Sequence, residues 1–234
     1  MDTNFNIQKL TSYKIGGEIA RIYFPASIEE FVEAAKKEPD AFVAGNLSNV
    51  LVSSSGYNGA VISTSKLNDI KIEGNKIIAG AGVRGTKLSK LACENGLSGL
   101  EFMIAFPGSV GGEVFMNAGA HGQMIADVLS TAKVYCPDKG VINLSKDEME
   151  FSYRTSICQR KPYSVLEAEF VLTPLAQDKI QEKMNENLSF RQNKQPALTL
   201  PNCGSVFRNP QGDFAGRLLE SVEVKGLVCG GGRV

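Results

Sequence analysis

The stretch that decides the fold is residues 107–122, PGSVGGEVFMNAGAHG. It contains five glycines and a proline, and Glu113 is its only charged residue. Glycine leaves the backbone bare, so such a segment forms either a tight structural corner or a loop whose amides lie against the phosphates and ring of a ligand. The stretch alone leaves both interpretations open.

A second bend of similar character lies upstream, in residues 44–59, AGNLSNVLVSSSGYNG. An apolar strand is predicted to end at Gly45, and the small polar residues 46–49 then turn the chain into another apolar run. This turn suits a diphosphate, although a plain hairpin turn gives the same pattern. Neither bend has the strand-to-helix G-x-G-x-x-G arrangement of a Rossmann unit.

Composition narrows the classes of function. The chain has 234 residues, enough for one large or two small domains, and its 25 basic and 25 acidic residues cancel. We therefore expect no nucleic-acid partner. No apolar run approaches a membrane span and no secretion signal is visible, so we expect a cytoplasmic protein without a membrane partner. Five scattered cysteines and one histidine predict reduced thiols and no metal site.

The order of predicted elements favours an α+β fold over a doubly wound sheet, because helices do not regularly separate the strands. Ser27 and Glu30 form a predicted capping box for a helix that Pro39 ends. A second helix is predicted over 86–95, and Gly74-Asn75 predicts a hairpin. The predicted strands are 20–24, 41–45, 59–63, 70–74, 76–80, 129–136, 140–144, 149–153 and 163–172.

The character of the chain changes after Pro174. A polar helix is predicted over 177–192, with a narrow apolar stripe of Ile180, Met184 and Leu188. We therefore predict a boundary near 174–178. The predicted division is 1–75 and 76–175 for two cofactor-binding subdomains, and 176–234 for part of a substrate-binding domain.

Further motifs follow the two bends in a fixed order. They are FSYRTS (151–156), RQNKQP (191–196), CGSVFRNP (203–210) and FAGRLLE (214–220). Together with the bends they resemble the UDP-N-acetylenolpyruvoylglucosamine reductase family of peptidoglycan synthesis, from about Thr11 to the last residue. The resemblance implies a vanillyl-alcohol-oxidase-like FAD-binding fold of two subdomains plus an incomplete α+β substrate domain.

The resemblance also implies which residues hold FAD. In the first bend these are Gly45, Asn46, Ser48 and Asn49, and in the second Gly108, Ser109, Gly111, Gly112, Asn117 and Gly119. Bare backbone at these positions would let the cofactor lie close, and FAD would supply redox chemistry that side chains lack.

The reaction that the resemblance implies is reduction of UDP-N-acetylglucosamine enolpyruvate to UDP-N-acetylmuramate, with FAD and NADPH as cofactors, by a monomer that serves cell wall biogenesis, cell shape and cell division. Arg154 matches the family arginine that polarises the substrate carboxylate, and Ser205 the serine that protonates the substrate carbon. From the residues alone, Arg154 is equally a surface charge and Ser205 a turn residue. Tyr153, Lys194 and Asn209 are the implied substrate-binding residues.

A local basic excess supports an anionic ligand in the last part of the chain. From position 191 onward three acidic residues, Asp213, Glu220 and Glu223, face six basic ones, Arg191, Lys194, Arg208, Arg217, Lys225 and Arg233. This excess suits a UDP diphosphate and a carboxylate.

Two departures from the family pattern qualify the expected activity. Leu47 stands where relatives carry glycine in the first bend, which strains the turn if a positive φ is needed. The chain stops at Val234, where relatives enter the second half of the substrate domain and its catalytic glutamate. The alternatives are therefore an inactive FAD-binding remnant or another FAD oxidase of the same fold.

Overall fold

The structure is a computed structural model that describes residues 1–195, 197 and 200–234. The described chain divides into two compact units, Met1–Cys203 and Gly204–Val234. The finer division into 1–75, 76–175 and 176–234 stays a prediction, although the two main sheets of the first unit are built from residues 2–63 and 70–171.

The first sheet mixes antiparallel and parallel pairing in the order β1-β2-β4-β3. Its strands are β1 (Asp2–Asn6), β2 (Glu18–Tyr23), β3 (Phe42–Ala44) and β4 (Tyr57–Ser63). Strand β2 pairs antiparallel with β1 and parallel with β4, and β3 also runs parallel to β4 with Ala44 opposite Ser63. The ends of β3 and β4 therefore meet at one edge of the sheet.

Helix α1 (Ile28–Lys37) connects β2 to β3 and begins as predicted. The Ser27 side chain accepts a hydrogen bond from the Glu30 amide at 3.2 Å, while the Glu30 carboxylate accepts one from the Ala26 amide at 2.7 Å. These bonds satisfy amides that a helix leaves free in its first turn. Phe31 and Ala34 are buried on the inner face, which fixes the helix on the sheet.

The second sheet is antiparallel throughout, in the order β11-β10-β12-β6-β5. Its strands are β5 (Ile70–Glu73), β6 (Lys76–Gly80), β10 (Leu129–Cys136), β11 (Gly140–Ser145) and β12 (Ser164–Val171). The hairpin predicted at Gly74-Asn75 is confirmed, because Glu73 pairs with Lys76 and Gly74 has φ +62°. A buried apolar core that includes Ile77, Leu88 and Phe170 lies against this sheet.

Helices and short hairpins surround that core. They are α2 (Gly85–Glu94), β7 (Leu97–Ser98), α3 (Val110–Phe115), β8 (Gly119–Ala120), β9 (Gln123–Met124), α4 (Ile125–Val128), β13 (Thr173–Pro174) and α5 (Gln177–Lys194). Helix α2 confirms the helix predicted over 86–95 within one residue, and Gly96 follows it at φ +64°. The predicted stripe of α5 is confirmed, since Ile180 and Met184 are buried and Leu188 packs beside them.

The strand predicted over 149–153 is wrong. Glu150 and Arg154 have φ values of +46° and +54°, and Ser152 pairs only with Thr155 across a tight turn. The alternation in sequence arises because Met149 is buried while its neighbours turn outward. Two left-handed residues so close together cannot continue an extended strand.

The second unit contains α6 (Ala215–Ser221) and the short hairpin of β14 (Val228–Cys229) with β15 (Gly232–Arg233). An exposed ion pair joins Arg217 to Asp213 one turn earlier. Over residues 1–195, 197 and 200–234, the structure shows no helix that combines the length and apolar character needed to cross a membrane.

Candidate functional site

The first bend, which we define as residues 45–49, lies against the loop before α3. The Asn46 side-chain amide donates to the carbonyl oxygen of Pro107 at 2.5 Å. A Cβ added to Gly45 would stand 2.5 Å from the Ser109 hydroxyl oxygen, so no larger residue fits there without movement. Two regions about sixty residues apart in sequence therefore meet, as the combined motif predicted.

Leu47 adopts the left-handed conformation, with φ +50°, which meets the condition under which the sequence predicted strain at this position. Its side chain is 5% exposed and packs with Ile7, Ile19 and Val61. Burial of a leucine offsets the strain of a positive φ, which costs about 1–2 kcal/mol. Ser48 is half-buried and Asn49 is exposed at the end of the bend.

The second bend, residues 108–119, is partly helical, which the sequence did not predict. Ser109 precedes α3, and the amides of Val110 and Gly111 donate to the carbonyl oxygens of Val83 and Ala81 at 2.8 and 2.9 Å. A Cβ on Gly111 would lie 2.8 Å from that of Ala81, whereas Gly112 is exposed with open space around its Cα. Gly111 thus permits close packing, and Gly112 is free to approach a ligand.

A cavity of about 410 Å³ opens where these segments meet. Gly45, Asn46 and Leu47 line it from the first bend, but the second region contributes the preceding residues Ala105, Phe106 and Pro107. The other lining residues, most of which the motifs did not indicate, are Lys9, Leu10, Thr11, Ser12, Lys14, Ser63, Ser65, Arg84, Thr86, Arg191, Leu200 and Asn202. A sequence signal for Ser63 and Ser65 did exist, because both follow a strand whose end faces the same edge as Gly45.

Glu113 is a buried acid beside this loop. Neither of its carboxyl oxygens has a hydrogen-bond partner among the described residues, and the carboxyl group lies against Gly85 and Gly108. Burial raises its pKa from the usual 4.5 to about 8. The group is therefore neutral at pH 7, because no nearby cation compensates for the lost hydration.

Carbonyl groups at the end of the second bend hold the side chain of Arg154. The guanidinium of Arg154 donates to the carbonyl oxygens of Asn117 and Gly119 at 3.4 and 2.6 Å, and it lies 5.2 Å from the ring centre of Tyr153. Asn117 itself is buried; its side chain donates to the Ser152 carbonyl at 2.9 Å and accepts from the Ala126 amide at 3.0 Å. Among the residues that the structure describes, Arg154 forms no ion pair, so its charge is available to an anion.

The remaining predicted residues lie elsewhere. Lys194 is exposed at the last position of α5. Ser205 and Asn209 belong to the second unit, where both are exposed and the Asn209 side-chain oxygen accepts from the Ala215 amide at 3.0 Å. The predicted pairing of Arg154 with Ser205 thus involves one residue from each unit and stays a prediction. In the described part of the chain, no group of His, Cys, Asp and Glu could hold a metal ion.

Comparison with known proteins decides the family. Residues 20–145 match the FAD binding domain family, and residues 195–234 match the UDP-N-acetylenolpyruvoylglucosamine reductase C-terminal domain. The UDP-N-acetylenolpyruvoylglucosamine reductase of Caldicellulosiruptor saccharolyticus is 41% identical over 230 residues, which are 96% of this chain and 74% of the relative. The chain belongs to the UDP-N-acetylenolpyruvoylglucosamine reductase family. The family reductase of Clostridium tetani is also 41% identical, over 99% of this chain and 76% of its own.

Solved structures confirm the fold. The UDP-N-acetylenolpyruvylglucosamine reductase of Thermus caldophilus superimposes with a TM-score of 0.82 and 29% identity, covering 97% of this chain and 81% of that one. The 6-hydroxy-D-nicotine oxidase of Arthrobacter nicotinovorans, 19% identical, gives a TM-score of 0.50 over 68% of this chain and 37% of its own. The expected α+β, vanillyl-alcohol-oxidase-like FAD-binding fold is therefore confirmed.

Proposed function

We propose that this chain reduces UDP-N-acetylglucosamine enolpyruvate to UDP-N-acetylmuramate in an FAD-dependent reaction that consumes NADPH. The observation that carries the proposal is a polar cavity lined by the first bend and by the residues just before the second bend, in a chain whose relatives are named as this reductase. The reaction belongs to peptidoglycan synthesis, and so to cell wall biogenesis, cell shape, cell division and the cell cycle. Since its nucleotide substrates are cytoplasmic, we propose the cytoplasm as its location.

The residues at the cavity fit FAD. The Ser109 hydroxyl is buried without a partner among the described residues, beside a glycine where a Cβ would collide. Asn46 and Thr86 add polar side chains to the lining, and Gly45 contributes bare backbone to it. These groups suit the diphosphate and sugar hydroxyls of a dinucleotide. We propose that the first bend and the Gly108–Ser109 turn hold FAD, which when bound supplies the hydride chemistry that side chains lack.

Arg154 is proposed to hold the substrate carboxylate. Reduction adds a hydride to one carbon of the enol-ether double bond and a proton to the other. Negative charge develops toward the carboxylate before the proton arrives, so a fixed cation lowers the barrier. The two carbonyl bonds from Asn117 and Gly119 hold the guanidinium in place while leaving its charge unpaired. Tyr153 supports it from the ring face.

Ser205 is proposed as the proton donor to the substrate carbon. A hydroxyl is a weak acid in water, so this role requires contact with the negative charge that forms during the reaction. Lys194 and Asn209 are proposed to bind the UDP part of the substrate. We also propose that the protein acts as a monomer.

The test is turnover by the purified chain after loading with FAD. We expect NADPH oxidation that depends on UDP-N-acetylglucosamine enolpyruvate, with UDP-N-acetylmuramate identified by mass spectrometry. Arg154→Gln should lower kcat by about 100-fold or more. Arg160→Gln removes an exposed arginine that pairs with Glu150, and should leave the rate unchanged.

The outcomes separate the alternatives. A yellow protein that binds FAD but forms no UDP-N-acetylmuramate would be a flavin-binding remnant. Turnover of a substrate other than a UDP sugar would indicate a different oxidase. Full activity of Arg154→Gln would remove this residue from the mechanism while leaving the reaction itself intact.

A further inference from the structure

The charged residues that line the cavity beside the first bend are all positive. Its lining includes four cationic residues, Lys9, Lys14, Arg84 and Arg191, and no aspartate or glutamate among the residues that the structure describes there. In a chain whose charges cancel overall, such a local concentration of positive charge marks a site for an anion.

Arg191 differs from the other three cations. Lys9, Lys14 and Arg84 are exposed, whereas Arg191 is half-buried on α5, with Nε and Nη2 shielded from solvent. Neither of these nitrogens has a hydrogen-bond partner within residues 1–195, 197 and 200–234. Burial also lowers the pKa of the guanidinium, and no carboxylate opposes this shift. A shielded cation without a partner is costly, so an anion from outside the chain would stabilise this position.

Neutral donors around the cavity identify the kind of anion. Ser12, Ser65 and Thr86 are hydroxyl residues of the lining, whereas the hydroxyls of Thr11 and Ser63 already donate to the Ile15 carbonyl and the Ser65 hydroxyl. A group with many oxygens uses such a set, and a diphosphate offers more acceptors than a single carboxylate. The cavity also borders the first bend, where FAD is proposed to bind.

We propose that Arg191 pairs with the diphosphate of FAD in this cavity. The proposal rests on the FAD-dependent function proposed above and adds a binding residue outside both bends. Arginine suits this place because its planar fork can donate two parallel hydrogen bonds to phosphate oxygens.

The experiment measures binding of FAD to the cofactor-free chain by quenching of flavin fluorescence. Arg191→Gln should raise the Kd for FAD by about 10- to 100-fold, the usual effect of losing a charge-assisted hydrogen bond. Competition by ADP, which carries a diphosphate without the isoalloxazine, should weaken by a similar factor. Lys179→Gln is the matched control, because Lys179 is exposed on the same helix and does not line the cavity.

Each outcome has one meaning. The proposal is overturned if Arg191→Gln binds FAD with a Kd within about threefold of the wild-type value. It is also overturned if Arg191→Gln binds FAD more weakly while ADP either fails to compete with FAD or competes as well as it does in the wild type. Failure of the wild-type chain to bind FAD would instead overturn the proposed function. The circular dichroism spectrum of Arg191→Gln must match the wild type, and its unfolding midpoint must be no lower; Arg191→Lys, which keeps the charge, should recover part of the affinity.

Discussion

The two glycine-rich bends are similar in sequence but have different structural roles. In the first bend, Gly45, Asn46 and Leu47 all line the cavity, and the Asn46 side chain makes one bond, to Pro107. In the second bend, Asn117 is buried and its side chain bonds on both sides to the protein. One asparagine thus remains near a ligand, while the other fixes the backbone that holds Arg154.

This difference shows that a bare backbone has two uses. Gly45 lines the cavity, and its missing Cβ makes room there for the Ser109 hydroxyl, whereas the missing Cβ of Gly111 makes room for the buried Ala81. The second bend is therefore the more sensitive to substitution, because its residues are committed to internal packing. Changes in the first bend should act more on cofactor affinity than on folding.

The largest effect is expected at Glu113. Its pKa is about 8 in the folded chain and about 4.5 when exposed, so the native state binds the extra proton between these values. Stability is full below pH 4.5 and falls as pH rises toward 8, by about 1.4 kcal/mol per unit. Glu113→Gln should remove this slope and raise the free energy of unfolding at pH 8 by about 4–5 kcal/mol.

Urea unfolding of the cofactor-free chain at several pH values measures this effect. Glu148 provides the control, since it is exposed and Glu148→Gln should keep the slope. A wild-type stability that is constant between pH 5 and 8 would show that the Glu113 carboxylate is paired or hydrated in the folded state.

The next effect concerns Leu47 in the first bend. Leu47→Ala should lower the free energy of unfolding by about 3 kcal/mol, because a buried side chain is lost from the small core beside Ile7 and Ile19. Leu47→Gly should be less damaging by about 1 kcal/mol, since glycine relieves the positive φ. Thermal or urea unfolding of both variants isolates the strain. Greater damage from glycine would mean that the turn is not strained.

A direct comparison of the bends uses the two asparagines. Asn117→Ala should lower the free energy of unfolding by about 2 kcal/mol, because it leaves the Ala126 amide unpaired and removes one of the two bonds to the Ser152 carbonyl, which still accepts from the Thr155 amide. Asn46→Ala removes one bond at the cavity and should cost about 1 kcal/mol or less. Urea unfolding of the two variants under the same conditions measures both losses of stability. Equal losses would contradict the division of roles.

Much of this site follows from sequence because it depends on local chemistry. Glycine and asparagine mark the bends, the Gly74-Asn75 hairpin fixes a strand pair, and Ser27 marks the start of α1. These features need only residues close in the chain. The glycine that relatives carry at the position of Leu47 predicted strain there if the turn needed a positive φ, and the turn has one.

The features that sequence did not reveal depend on contacts between distant segments. Helix α3 forms although two of its six residues are glycine, because Val110 and Val114 are anchored in the core. Its apolar spacing was visible but too short to separate from a loop. The cations of the cavity come from three regions of the chain, so no single motif contains them.

The smallest effect is expected at Ser109, where a single substitution separates cofactor binding from folding. Its buried hydroxyl has no partner among the described residues, so Ser109→Ala removes a polar group whose burial is uncompensated. Without FAD the variant should be as stable as the wild type or more stable by about 1 kcal/mol. The Kd for FAD should rise about five- to tenfold, because the cofactor atom that the hydroxyl would bind loses its partner. Fluorescence titration and urea unfolding of one preparation give both values. A variant that loses stability without FAD would show that Ser109 supports the fold and not the binding of the cofactor.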